Sequence, residues 1–239
     1  RLQPKHHMKF LFLLCTLITA VTLQAQKLSD DSIVKDSSGT VYPAAIWKAL
    51  LMKGSYTLKP ENPQDKNTAF LLVHLTEEEQ AKRFARMRPP QPSTSFRNGQ
   101  KINMGRVRYI HGDMIDLKDN KGRITVINFW FVNCPPCRME IPDLNNLVAK
   151  YGQSDSLRFV GIALDDKYAL EEFFTNMPFH YRTIDNGRYL AQQFRVQSYP
   201  THVVLDREGK VYFHTTGLAQ NTAYWLDKSI RELLNQPLQ

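Results

Sequence analysis

The chain has 239 residues, 42% of them hydrophobic and 23% charged, which supplies one full core and material for a second small unit and excludes a disordered chain. Its net charge is only +8, and three of the basic residues (Arg1, Lys5 and Lys9) fall in a segment expected to be removed. Elsewhere basic and acidic residues interleave, with no Lys/Arg run carrying stacking aromatics, so nucleic-acid binding is excluded as a partner class.

Residues 1–25 read as an export signal with a few residues upstream of it. Met8-Lys9 gives a positive start, an apolar run covers 10–21, and Leu23-Gln24-Ala25 ends in a small residue at the expected cut. The apolar run is shorter than the roughly 20 residues that span a bilayer. Cleavage after Ala25 is expected over lipid attachment at Cys15, because Leu14 ahead of it is bulky. The mature chain is then exported to the periplasm, with no membrane anchor.

The stretch 26–106 predicts a small accessory unit with a linker. Ile46-Trp47-Lys48-Ala49-Leu50-Leu51 suits a short amphipathic helix, and 56–59 and 70–75 suit strands. Thr76 followed by Glu79 is a capping-box pattern opening a helix through Arg86. Arg88-Pro89-Pro90-Gln91-Pro92-Ser93 reads as linker. No site residue stands out, and the unit either extends the fold or helps select a partner.

Removal of Cys15 leaves Cys134 and Cys137, in Asn133-Cys134-Pro135-Pro136-Cys137-Arg138. An exported chain keeps disulfides, and cysteines three apart at a helix start can close a small ring suited to exchange. The alternative is half of a zinc site, but the expected mature chain holds no second CxxC or close His pair, and His111, His180, His202 and His214 are scattered singly.

The surroundings read as strand, turn, helix. Residues 124–131 are apolar on both alternating faces, as in a central strand covered on each side. From Pro135 the positions Met139, Ile141, Leu144, Leu147 and Val148 recur at helical spacing to about Tyr151. Pro135 and Pro136 suit the first turn, so Cys134 sits at the helix N-terminus, where orphan N–H groups favour a thiolate. Cys137, one turn in, is expected to be shielded and to act second. Further on come a buried strand over 159–164, a helix over 168–176, a short segment at 180–184 and a helix over 188–194. Strands at 202–205 and 210–214 flank the turn Asp206-Arg207-Glu208-Gly209, and Asn221 is expected to cap a final helix. The class is mixed α/β, with a parallel core and an antiparallel edge.

Residues 107–239 resemble the TlpA/ResA-like branch of the thioredoxin superfamily. The resemblance rests on the run Val126-Ile127-Asn128-Phe129-Trp130-Phe131-Val132-Asn133-Cys134-Pro135-Pro136-Cys137-Arg138-Met139-Glu140-Ile141-Pro142 and on Tyr199-Pro200-Thr201 before a strand. Trp130 matches the family tryptophan four before the first cysteine, and Pro142 the helix-kinking proline. Tyr199-Pro200-Thr201 matches the cis-proline loop that faces the cysteines. Asn128 stands where cytosolic thioredoxins carry a buried aspartate, and Glu140 matches an acidic residue beside the site. Asn133 departs from the usual tryptophan. Peroxidases of the same fold place a threonine three residues before the reactive cysteine; Phe131 stands there, so peroxidase activity is not expected.

The resemblance implies a thioredoxin-like fold, a central mixed sheet flanked by helices, preceded by the accessory region. It implies a thiol–disulfide oxidoreductase, most simply a protein-disulfide reductase. Cys134, Cys137 and Glu140 would be catalytic, with Trp130, Pro135, Pro136, Tyr199, Pro200 and Thr201 at the substrate surface. No metal or organic cofactor is implied beyond the redox-active cysteine pair itself. The partners would be disulfide-containing exported proteins and a membrane thiol-reductant donor. The competing readings are a disulfide oxidase or isomerase on the same fold, and a non-enzymatic thiol module handling haem or metal. From the residues alone, Glu140 equally suits an exposed carboxylate complementing the helix dipole, and His202 a lone structural strand histidine.

Overall fold

The structure is a computed structural model that describes residues 28–65, 67–117, 122–152 and 156–235. The export signal expected at 1–25 lies outside the described residues. Among the described residues, no helix is long and apolar enough to cross a membrane.

The N-terminal part builds a small sheet of its own. Its elements are β1 (Val34–Lys35), α1 (Ala44–Met52), β2 (Tyr56–Pro60), β3 (Phe70–His74) and α2 (Glu77–Arg86). The strand order is β1-β3-β2, with β2 antiparallel and β1 parallel to β3. Phe70 and Leu72, two apart on β3, point to one face and bury against Val34 and Trp47. The expected capping box is present: the Thr76 hydroxyl accepts the Glu79 N–H at 3.2 Å, and the Glu79 carboxylate accepts the Thr76 N–H at 2.9 Å. Behind that cap, α2 buries Phe84.

The C-terminal part begins with a short antiparallel hairpin, β4 (Arg106–Arg108) and β5 (Met114–Asp116). It continues β6 (Ile124–Trp130), α3 (Pro135–Tyr151), β7 (Leu157–Ala163), α4 (Lys167–Asn176), β8 (Arg182–Ile184), α5 (Arg188–Gln193), β9 (Thr201–Leu205), β10 (Val211–Thr216) and α6 (Thr222–Leu234). The sheet order is β10-β9-β6-β7-β8. β6, β7 and β8 are parallel, and β9 runs antiparallel to both β6 and β10. This is the mixed α/β arrangement expected. β6 lies at the centre with every residue buried, because both faces of the sheet are covered. On one face Ile124, Val126 and Trp130 join the apolar sides of α3 and α6; on the other, Ile127 and Phe129 meet Phe96, Ile102, Met104 and Leu190.

Two expectations change. The stretch 88–93, read as linker, is not free, and the residues that follow it to 106 are bound in the same way. The Thr216 N–H donates to the Gln91 carbonyl at 2.9 Å, Gly99 N–H to Val211 carbonyl at 2.7 Å, and Ile102 N–H to Gly209 carbonyl at 2.9 Å. The segment therefore covers the edge strand β10, whose backbone groups would otherwise be open to pairing. Phe96 packs 6.0 Å from Phe129, so the core of the C-terminal part reaches back well ahead of 107. The second change is at Asn221. It occupies the N-cap position of α6 but makes no capping bond; its side-chain amide donates instead to the Arg88 carbonyl at 3.0 Å.

Candidate active site

The chain leaves β6 at Trp130 and enters α3 through a short loop that is held from the side. The Val132 N–H donates to the Asp165 carboxylate at 2.8 Å, and Leu164 N–H to the Trp130 carbonyl at 3.1 Å. Asp165 was legible in the sequence only as the end of a strand. Cys134 is the N-cap of α3, with Pro135 and Pro136 in the first turn. Neither proline has an N–H, so the first donor the helix offers belongs to Cys137, and it points at the Cys134 sulfur at 3.2 Å. The two cysteines form a disulfide with Cα atoms 5.3 Å apart. Cys137 is shielded, as expected, at 1% exposed, but Cys134 is nearly as closed at 2%. Asn133, Pro135, Arg138 and Met139 are exposed at this corner. Arg138, the charge closest in sequence, lays its guanidinium over the Phe173 ring, 5.6 Å from its centre.

The loop before β9 comes up against Phe131, in the turn that leads into Cys134. The Tyr199–Pro200 bond is cis, and the Tyr199 ring meets Phe131 edge-on at 5.5 Å. The Thr201 hydroxyl donates to the Ser198 carbonyl at 2.7 Å, and Gly217 N–H donates to the Pro200 carbonyl at 2.8 Å. Of the residues expected at the substrate surface, Pro135, Pro136 and Tyr199 reach solvent. Pro200 is buried, and Trp130 and Thr201 are 0% and 1% exposed. Trp130 is packed among Phe173, Phe174 and Phe179, so it supports the loop from inside and cannot line its outer wall. Thr201 likewise spends its hydroxyl on the loop's own backbone.

One helical turn along α3 from Cys137 lies a polar group that the sequence did not predict as a unit. Glu140 is not an exposed carboxylate: it is 6% exposed, and its Oε2 lies 2.8 Å from Nε2 of His202, itself 0% exposed. Asn128 is the register partner of His202 across β6 and β9, so the two side chains share a face. Tyr181 is buried close by. Burial first, and then the Glu140 charge, push its hydroxyl far above the ordinary tyrosine range, so it stays protonated. His202 was missed because a single histidine in an apolar strand gives no hint of its partner 62 residues away. Among the described residues, no group of three or more His, Cys, Asp or Glu side chains could hold a metal ion.

Known proteins resemble this chain in sequence and in fold. The AhpC/TSA family model matches residues 99–214. ResA, a thiol–disulfide oxidoreductase of Bacillus cereus, is 29% identical over 124 residues, covering 48% of this chain and 71% of the relative. Residues 99–214 are an AhpC/TSA-type thioredoxin-like domain, and the chain is similar to the ResA thiol–disulfide oxidoreductases. Two solved structures share the oxidoreductase fold. One, from Chlorobium tepidum, is provisionally described as the thiol:disulfide interchange protein DsbE; it has a TM-score of 0.53, 24% identity, and covers 59% of this chain and 99% of its own. The other, from Bacteroides thetaiotaomicron, is provisionally described as a protein disulfide isomerase; it has a TM-score of 0.55, 20% identity, and covers 62% and 96%.

Proposed function

We propose that this oxidoreductase is an exported protein-disulfide reductase that works by dithiol–disulfide exchange through Cys134 and Cys137. The observation that carries the reading is the disulfide at the N-cap of α3, with a single helix N–H directed at the Cys134 sulfur. In the reduced protein that N–H and the helix dipole favour the Cys134 thiolate. The thiolate attacks one sulfur of a partner disulfide, the partner's other sulfur leaves as a thiolate, and a mixed disulfide remains. Cys137 then gives up its proton and attacks Cys134, which re-forms the Cys134–Cys137 bond and releases the reduced partner. Glu140, three residues on along the same helix face, is the base for that second proton.

Tyr199, Pro135 and Asn133 form the rim a partner chain would meet, and the backbone of the Tyr199–Pro200 loop would hold it as a short added strand. The pattern over 1–25 supports export to the periplasm. A reductase there needs electrons delivered across the membrane, so a membrane thiol-reductant donor is part of the proposal. The redox pair itself serves in place of a cofactor.

The test is insulin reduction by the purified protein with dithiothreitol as donor. Wild type should accelerate precipitation of the insulin B chain, Cys134→Ser should not, and Cys137→Ala should accumulate a mixed disulfide visible by non-reducing electrophoresis. Equal activity in wild type and Cys134→Ser would contradict the assignment of the working pair.

A further inference from the structure

We propose that His202 is a positioning residue for the proton step. It holds one oxygen of Glu140, so that the other is left free to take the proton from Cys137. This deepens the reductase reading and rests on it.

The argument starts from unequal pairing within one carboxylate. Glu140 Oε2 has its partner in His202 Nε2 at 2.8 Å, whereas Glu140 Oε1 is buried with none. His202 Nδ1 is buried without a partner as well. A neutral imidazole carries a single N–H. If it sat on Nδ1, a buried donor would be orphaned, and Nε2 would turn its lone pair toward carboxylate oxygen. With the hydrogen on Nε2, the histidine donates to Glu140 and leaves unpaired only an acceptor. Counting donors therefore places the N–H on Nε2, directed at a carboxylate anion. A hydrogen bond donated to a charged acceptor is among the stronger ones.

A pair with only a structural role would satisfy both carboxylate oxygens, because an unpaired buried one carries the full cost of desolvation. Here the unpaired oxygen belongs to the residue three positions after Cys137 on the same helix face, in a structure where Cys137 has no proton to offer. The orphaned Oε1 is the acceptor that a Cys137 thiol would satisfy. In the resolving step the proton passes from Cys137 to Oε1. The Cys137 electron pair makes the bond to Cys134 Sγ, and the bond from Cys134 to the partner breaks with its electrons leaving on the partner's thiolate. His202 N–H stays on Oε2 throughout and holds the carboxylate in place.

The other groups that bear on this site come from every neighbouring element. Tyr181, ahead of β8, is neutral and feels the Glu140 charge. Asp143, one turn further along α3, has its carboxyl raised first by burial and then by the Glu140 charge, against the lowering pull of Lys53 just past α1. Asn128 on β6 contributes an unpartnered carbonyl oxygen. None of these three donates a hydrogen bond to Glu140, which leaves that part to His202.

The experiment mixes reduced protein with excess 5,5′-dithiobis(2-nitrobenzoate) and follows release of the coloured thiolate. The first equivalent reports Cys134 attack and the second reports resolution by Cys137. Plotted against pH, the second phase of wild type should have a midpoint that His202→Phe moves upward by about one unit or more, a roughly tenfold loss on the acid side of the wild-type midpoint. His202→Gln, whose amide N–H can reach Oε2, should restore it. In a Glu140→Gln background, His202→Phe should shift nothing further. An unmoved midpoint in His202→Phe, or an equal shift in the Glu140→Gln background, overturns the proposal. Should His202→Phe fail to fold, His202→Asn is compared with His202→Gln. The shorter amide must shift the midpoint and the longer must not, and equal midpoints overturn the proposal. Wild type that releases only one equivalent sinks the reductase reading as well, whereas two equivalents with insensitive variants sink the His202 role alone.

Discussion

Pro135 and Pro136 remove the first two helix N–H groups from α3, and the Cys134 sulfur receives its bond from Cys137 instead, at 3.2 Å. Fewer donors mean less stabilisation of a thiolate at Cys134, hence of the reduced form, and so a more reducing couple. Pro136→His should restore an N–H and add charge. It should move the glutathione equilibrium toward the dithiol by about 30 mV, the equivalent of about 1.4 kcal/mol, when free thiols are counted across glutathione buffers. No shift, or a shift to more reducing potential, would break that account. Asp165 offers a second test. Asp165→Ala leaves the Val132 N–H without its 2.8 Å partner and should cost about 1 kcal/mol in urea unfolding, with Cys134 attack slowed as the loop loosens. At this scale the sequence was legible where chemistry sits in one contiguous run, as with Cys134, Pro135, Pro136 and Cys137. It was blind where two distant residues must meet: the motif places Glu140 at the site, but nothing in the sequence pairs it with His202. Trp130 and Thr201 were placed at the substrate surface by motif alone, and only their packing shows that they face inward.

Elements were legible in proportion to the regularity of their burial. β6 read correctly because a strand covered on both faces is apolar at every position. α3 read correctly because its buried residues recur at helical spacing. The stretch 88–106 has neither period, and its prolines looked like spacing; its actual bonds run to β10, more than a hundred residues later in the chain. Gly187, ahead of α5, marks a close approach that no pattern reveals: an added Cβ would lie 2.4 Å from Ile162 Cγ2 and 2.8 Å from the Ala163 carbonyl. Gly187→Ala should therefore destabilise the domain by about 1–3 kcal/mol through overpacking, read as a lower urea midpoint. The joint between α3 and α6 should be sensitive to pH. Asp227 is bonded by Lys150 at 2.7 Å and by the Tyr151 hydroxyl at 2.8 Å. Burial alone would raise its carboxyl, yet these bonds with the charges of Lys150 and Arg231 bring it below its ordinary 3.8. A depressed carboxylate contributes stability that is complete above its unfolded value and is lost as pH falls through the folded one. The stability gap between wild type and Asp227→Asn should thus be full at neutral pH and close below about pH 4. A gap that persists undiminished at pH 2 would show that the tie is not electrostatic.

For the whole molecule, the accessory unit is held to the redox domain at the start of α6. The Gln220 amide donates to the Leu51 carbonyl at 3.0 Å, Asn221 binds the Arg88 carbonyl at 3.0 Å, and Phe84 lies 6.1 Å from Tyr224. An accessory unit packed on or tethered to the redox domain is what the sequence suggests; the residues that tie the two are not legible in it. The account as a whole claims that this domain donates electrons by exchange at Cys134–Cys137. Two prolines between the cysteines, one helix N–H on the sulfur and an Arg138 occupied by Phe173 all leave the thiolate modestly stabilised. The most direct measurement equilibrates the purified protein with glutathione buffers of graded ratio and counts Cys134 and Cys137 thiols after acid quenching. The account predicts a single two-electron transition near the roughly −270 mV of thioredoxin; a transition above about −170 mV would make the protein an oxidant or isomerase and contradict it.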